Sequence, residues 1–92
     1  MTRTFKGRGW LRTSMSGSST ASYSYVLDHV HESRVATGDV RAELAQMVEA
    51  RSARRATLVL ESGRWMPIEV LDMSAEGLKF RSVGDISFLN EE

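Results

Sequence analysis

A two-residue alternation of apolar and polar side chains between residues 56 and 73 constrains the fold of this chain more than any other feature. The apolar positions are Leu58, Leu60, Met66, Ile68 and Val70. A period of two places successive side chains on opposite faces of a β-strand. Ser62-Gly63-Arg64 interrupts the alternation and suits a tight turn. We therefore predict a β-hairpin with strands at residues 56–61 and 65–73.

Shorter β-prone segments lie on both sides of this hairpin. The predicted segments are strands at residues 7–13, 23–28 and 78–81, an edge strand at residues 86–89, a loop at residues 14–22 and a turn at residues 74–77. The loop prediction rests on small polar side chains that cannot pack a core. Phe5 and Trp10 are expected in the core.

One helix is predicted between the second strand and the hairpin. Asp39 can cap its first turn. Its apolar stripe consists of Val40, Leu44, Met47 and Val48, which recur at helical spacing. The opposite face carries Arg41, Glu43, Gln46 and Glu49. We expect the stripe to pack on the sheet and the helix to end near Ser52.

These elements predict an α+β, mainly β fold, in which five or six antiparallel strands form a twisted sheet or a small barrel with one helix. With 92 residues, of which 41% are hydrophobic and 26% charged, the chain is expected to form a single globular domain over residues 1–92. A sheet covered by one helix leaves a face or an edge exposed, so a homodimer is an open alternative.

Composition and motifs exclude several function classes. The chain has no cysteine, which excludes disulfides, iron–sulfur clusters and thiolate zinc sites. Because no export signal and no long apolar run is present, we expect a cytoplasmic protein that does not enter a membrane. Twelve basic residues balance twelve acidic ones, which gives no net attraction to nucleic acid. No nucleophile elbow or phosphate-binding loop occurs, so we expect neither an enzyme nor a cofactor.

The histidines of the chain, His29 and His31, are spaced to lie on one face of a strand, where they could share a metal ion. Carboxylates such as Asp28 and Glu32 would have to complete the site, since no other histidine is present. The alternative is a solvent-facing strand end.

The N-terminal segment alternates basic and aromatic residues, namely Phe5, Lys6, Arg8, Trp10 and Arg12. Proteins that bind single-stranded nucleic acid use such an alternation, because cations contact phosphates and aromatic rings stack on bases. Placing Phe5 and Trp10 in the core explains the same pattern more simply, and it makes nucleic acid a disfavoured partner.

The most specific pattern lies in the second half of the chain. Three residues separate Arg51 from Arg55, and Asp72, Ser74 and Gly77 form an Asp-x-Ser-x2-Gly pattern. Arginines at this spacing can make paired contacts to phosphate and guanine edges. The two segments resemble the paired signatures of PilZ domains, which are six-stranded β-barrels that bind the bacterial second messenger cyclic di-GMP. The resemblance implies that Arg51 and Arg55 clamp the messenger and that Asp72, Ser74 and Gly77 line the other side of its pocket. It also implies that the N-terminal strands complete the barrel in a different order.

The sequence therefore predicts a small non-enzymatic binding module, of bacterial or phage-like type, whose partner is an unknown protein. A cyclic di-GMP sensor using Arg51 and Arg55 is the first alternative. A metal-binding protein using His29 and His31 is the second. An ordinary turn at residues 72–77 is the alternative to a ligand site there.

Overall fold

Six antiparallel strands and one helix make up the part of the chain that the computed structural model describes, residues 4–14, 17–30 and 33–84. The elements are β1 (Thr4–Thr13), β2 (Gly17–Val30), β3 (Ser33–Arg41), α1 (Leu44–Ala53), β4 (Arg55–Val59), β5 (Trp65–Ser74) and β6 (Gly77–Ser82). The strands close into a barrel in the order β1-β2-β3-β6-β5-β4, and β4 pairs back onto β1. The mainly β fold with one helix is confirmed, and of the two predicted arrangements the structure has the closed barrel.

The seam between β1 and β4 closes the barrel. Its register pairs are Trp10 with Val59, Leu11 with Leu58, and Arg12 with Thr57. A Cβ on Gly9, the preceding residue of β1, would overlap the carbonyl oxygen of Val59, so glycine is what lets the two strands approach this closely. Because closure pairs every described strand on both sides, the homodimer prediction loses the open sheet edge on which it partly rested.

Alternate residues of the strands fill the barrel. The fully buried side chains include Leu11, Leu58, Leu60, Met66, Ile68, Leu78 and Phe80. The predicted hairpin is confirmed, since β4 and β5 pair in antiparallel register and their apolar positions face inward. Phe5 also packs against this core, with its ring stacked on Tyr25 at 5.2 Å between centroids.

The core position predicted for Trp10 is wrong, because 45% of this residue is exposed. Its neighbour Leu11 is completely buried, and side chains alternate along a strand. Trp10 therefore lies on the outer face of β1 together with Arg8 and Arg12.

The loop predicted at residues 14–22 is wrong over the part that the structure describes as strand, since β2 begins at Gly17. β1 and β2 pair without interruption from Thr13 opposite Gly17 to Thr4 opposite Val26. Ser19 and Ala21 face the barrel interior. Small side chains lower the intrinsic β-propensity, but the long ladder with β1 overrides that local preference.

The helix begins at Leu44, later than predicted, because residues up to Arg41 belong to β3. Asp39 lies in that strand opposite Ser24 and is not a helix cap. The predicted apolar stripe is wrong at Leu44 and Val48, which are 65% and 51% exposed, whereas Met47 is buried as predicted. The buried residues of α1 are Gln46, Met47 and Ala50.

Gln46 is buried because its amide joins the helix to the barrel. Its Nε2 atom lies 2.7 Å from the carbonyl oxygen of Gly17, 2.9 Å from Oγ1 of Thr13 and 3.3 Å from the carbonyl oxygen of Leu11. A buried polar side chain is stable only when it is hydrogen-bonded in this way. A stripe drawn from apolar residues alone could not include it.

The strand predicted at residues 78–81 is confirmed as part of β6. The edge strand predicted at residues 86–89 lies outside the described residues. The helix of the described chain, α1, lacks the length and the apolar character that a membrane-spanning helix needs.

Candidate functional site

α1 covers one end of the barrel, and both halves of the sequence motif lie at that end. β3 leads into α1 and β4 leads out of it. Because β5 runs antiparallel to β4, the turn from β5 to β6 lies at the same end as the start of β4. We call α1, the start of β4 and the β5–β6 turn the helix-capped end.

A hydrogen-bonded turn presents the arginines there. Arg54 follows α1 in the left-handed conformation, with φ of 63°, and its N–H donates to the carbonyl of Ala50 at 2.8 Å. The carbonyl of Arg54 in turn accepts the N–H of Val70 at 2.9 Å. Arg51 lies in the last turn of α1 and Arg55 begins β4, so three exposed guanidinium groups surround this turn.

The arginines of this turn have no acidic partner among the residues that the structure describes. Arg55 is the register partner of Glu69, but the carboxylate of Glu69 is bound by Arg81 at 2.7 Å. Arg51, Arg54 and Arg55 form no side-chain ion pair or hydrogen bond within residues 4–14, 17–30 and 33–84. Their charges are therefore available to an anionic ligand.

The Asp-x-Ser-x2-Gly segment forms the end of β5 and the turn into β6. Oδ1 of Asp72 accepts the N–H of Met73 at 2.8 Å, and Oγ of Ser74 accepts the N–H of Glu76 at 3.2 Å. A bulge between Val70 and Asp72 shifts the register here. Asp72 and Ser74 remain exposed, so Oδ2 of Asp72 can still accept a hydrogen bond from a ligand.

Gly77 differs from the other residues of this segment because it is buried. Its φ is 130°, and a Cβ at this position would lie 2.6 Å from the carbonyl oxygen of Val40 in β3. Only glycine adopts this conformation at such a close approach. The contacts of Gly77 in the described chain are those of a backbone packed against β3.

The hydrogen bond between Val70 and Arg54 brings the two halves of the motif together. It joins the arginine turn to β5 shortly before Asp72. The five residues nevertheless do not enclose a cavity: Arg51, Arg55, Asp72 and Ser74 are all exposed. The arrangement offers three cations on one side and a carboxylate and a hydroxyl on the other, across an open surface.

Arg55 also lines a surface groove that crosses β4 from β1 to β5. This groove has a volume of about 600 Å³ and includes Arg12, Thr57, Trp65 and Pro67. A second groove, of about 560 Å³, lies between β1 and β2 and is lined by Arg8, Trp10, Ser22, Arg41 and Glu43, among others. Of these residues, Arg55 belongs to the predicted ligand site, and Arg8, Trp10 and Arg12 belong to the alternation that the sequence analysis weighed for nucleic acid.

A signal for the exposed tryptophans was present in the sequence. Trp65 is out of phase with Met66 and Ile68, which are buried, and Trp10 is out of phase with Leu11. Strict alternation places both indoles on the outside of the barrel. The exposed fraction of Trp65 is 62%.

The metal hypothesis falls on residues that the structure does not describe, namely the side chain of His29 and the whole of His31. Within the described residues, no three histidine, aspartate or glutamate side chains come together.

No family model, no curated protein and no solved structure matches this chain.

Proposed function

We propose that this chain is a non-enzymatic binding module that holds cyclic di-GMP at the helix-capped end of its barrel. The observation that carries the proposal is the set of three exposed arginines without a partner in the described chain, on a turn that is hydrogen-bonded to β5 two residues before Asp72. Exposed cations on a pre-ordered turn bind an anion without first breaking an ion pair.

The ligand follows from the chemistry of these groups. A guanidinium donates two parallel hydrogen bonds to a phosphate, or to the O6 and N7 atoms of guanine. A cyclic dinucleotide of guanine carries two of each group in one compact molecule. Arg51 and Arg55 contact phosphate and guanine edges, while the free oxygen of Asp72 accepts an N–H of guanine. No step of this scheme needs a nucleophile or a metal.

The closed barrel supports the same assignment. The resemblance to PilZ domains implies a six-stranded barrel, and β1, β2 and β3 supply the strands that the segment after Arg51 lacks. The hydrogen bond from Val70 to Arg54 links the two signature segments, which supports joint binding of one ligand.

Isothermal titration calorimetry with cyclic di-GMP tests the proposal. We expect the variant Arg51→Ala, Arg55→Ala to lose at least roughly tenfold in affinity, because each charge-assisted hydrogen bond contributes about 1.5–3 kcal/mol. The matched control is Lys6→Ala, Arg8→Ala, which removes two cations from exposed positions of β1 away from this end and should leave the affinity unchanged.

Two results would contradict the proposal. The first is the absence of heat with wild-type protein whose folded state is shown by circular dichroism. The second is an equal loss of affinity in both double variants, which would indicate a nonspecific charge effect. Cyclic di-AMP tests the guanine contact separately: adenine has an N6 amino group where guanine has the O6 acceptor, so we expect weaker binding.

A further inference from the structure

The outer face of β1 carries an alternation of cations and an aromatic ring. Lys6, Arg8, Trp10 and Arg12 all point away from the core, and we call these four residues the β1 outer face. Outward side chains of a strand repeat every ~7 Å, twice the rise per residue. This face was explained from the sequence by placing Trp10 in the core, and the 45% exposure of Trp10 removes that explanation.

Both neighbouring strands extend this face without adding an acidic side chain. The register partners in β2 of Lys6, Arg8, Trp10 and Arg12 are Ser24, Ser22, Thr20 and Ser18. All four partners are hydroxyl residues, which donate hydrogen bonds to phosphate oxygens. The row of cations is therefore bordered by neutral donors along its whole length.

On the other side, β4 and β5 add a second indole. Trp10 is the register partner of Val59, and Val59 is the register partner of Trp65. The two tryptophans thus lie two strands apart across one row, at roughly 10 Å between their backbones. Arg12 and Thr57 form the next row and border the same groove as Trp65.

Two carboxylates lie near the β1 outer face: that of Glu61, and that of Glu43, which lines the same groove as Arg8 and Trp10. Oε1 of Glu61 accepts the backbone N–H of Arg8 at 3.1 Å. The guanidinium groups of Arg8 and Arg12 and the ammonium group of Lys6 form no ion pair with any residue in the described part of the chain.

We propose that the β1 outer face, together with Trp65, binds single-stranded nucleic acid. The phosphates contact Lys6, Arg8 and Arg12, and bases stack on the indoles of Trp10 and Trp65. The three cations favour a polyanion as the ligand. The exposed indoles favour a polyanion whose bases are unstacked, because a base within a duplex already stacks on its neighbours. This site adjoins the helix-capped end, since Arg12 and Trp65 line the same groove as Arg55, but it uses none of the residues assigned to cyclic di-GMP.

The test uses a fluorescein-labelled oligothymidylate and the full chain. Anisotropy measures binding, and quenching of intrinsic fluorescence measures stacking, since Trp10 and Trp65 are the only tryptophans in the sequence. We expect Trp10→Ala to lower the affinity by roughly tenfold, as is typical for removing one base–aromatic stack. Trp10→Phe should restore most of the affinity, because a phenyl ring also stacks.

The cations are tested through the salt dependence. Lys6→Ala, Arg8→Ala should reduce the slope of log K against log salt by about 1.4, which is twice the value of about 0.7 per neutralised phosphate on a single strand. The matched control is Arg34→Ala, Lys79→Ala, because Arg34 lies in β3 and Lys79 lies in β6, neither of which is adjacent to β1 in the barrel. The control should bind as the wild type does.

Four outcomes would overturn the proposal. The first is no anisotropy change at low salt with folded protein, and the second is an equal loss of affinity in the control variant. The third is equal affinity for the annealed duplex. The fourth is binding to phosphatidylserine vesicles without binding to the oligonucleotide. Quenching that is lost only in the Trp10 and Trp65 variants would support it.

Discussion

No side chain fits between Gly9 and Val59, because a Cβ at position 9 would overlap the carbonyl oxygen of Val59. The three register pairs of the β1–β4 seam begin at the next residue, Trp10. The close approach of β1 to β4 next to the seam therefore requires glycine at position 9.

We expect Gly9→Ala to lower the free energy of unfolding by about 3 kcal/mol, the upper end of the range for inserting an extra group into a packed site. The overlap is with backbone, which cannot move aside as a side chain can. Urea denaturation followed by circular dichroism measures the change. Ser22→Ala, an exposed change in β2, should stay within about 0.5 kcal/mol. Similar unfolding midpoints for the two variants would show that the seam tolerates a wider spacing.

Gln46→Ala should destabilise the protein by about 1–3 kcal/mol, the range for leaving buried hydrogen-bonding groups unpaired. The amide of Gln46 serves the carbonyls of Leu11 and Gly17 and the hydroxyl of Thr13. The measurement is again the unfolding free energy in urea, with Ala45→Ser at an exposed position of α1 as the control. A Gln46→Leu variant as stable as the wild type would show that burial of the side chain, and not its hydrogen bonds, holds the helix in place.

Trp10→Ser and Leu11→Ala should differ in stability, although the two residues are adjacent. Leu11 is completely buried, so its truncation should lower the free energy of unfolding by about 2–5 kcal/mol. Trp10 faces outward, and its replacement should change stability by less than about 1 kcal/mol. Thermal unfolding of the two variants in parallel measures the difference. A larger loss of stability in Trp10→Ser than in Leu11→Ala would mean that Trp10, and not Leu11, faces the core.

Gly77→Ala and Asp72→Ala separate a structural role from a ligand-binding role at the helix-capped end. The φ of 130° at Gly77 and its approach to Val40 predict a loss of about 2 kcal/mol, within the range for backbone strain. Asp72→Ala should change stability by less than about 1 kcal/mol, since the residue is exposed. Calorimetry at a temperature where both variants are folded should nevertheless show weaker cyclic di-GMP binding for Asp72→Ala. Undiminished binding by that variant would remove Asp72 from the site.

The β4–β5 hairpin was predictable because the residues that specify its strands and its turn lie close together in the sequence. Ile68 and Val70 repeat every second residue next to a glycine-containing turn, and they face the core as predicted. β3 was not predictable in the same way, since Gly38 and Asp39 weaken its β signal and Val40 also fits a helical spacing. Its pairing with β2 and β6 overrides both local signals.

Part of the candidate site was likewise predictable from local sequence, and part of it was not. Arg51, Arg55 and the segment from Asp72 to Gly77 were found from the sequence, because residue types and spacings within a short segment are visible there. Their shared position was not visible, since it depends on the hydrogen bond from Val70 to Arg54 and on the direction of β5.

The sequence by itself determined the hairpin, the inward-facing residues of β4 and β5, and the chemistry available at the arginine and Asp-x-Ser-x2-Gly segments. Only the tertiary structure decided the closure of the barrel and the starting points of β2 and α1. The physical reason is that these features depend on register between strands far apart in the chain. Strand pairing adds hydrogen bonds and buried contacts that outweigh the small propensity differences of single residues.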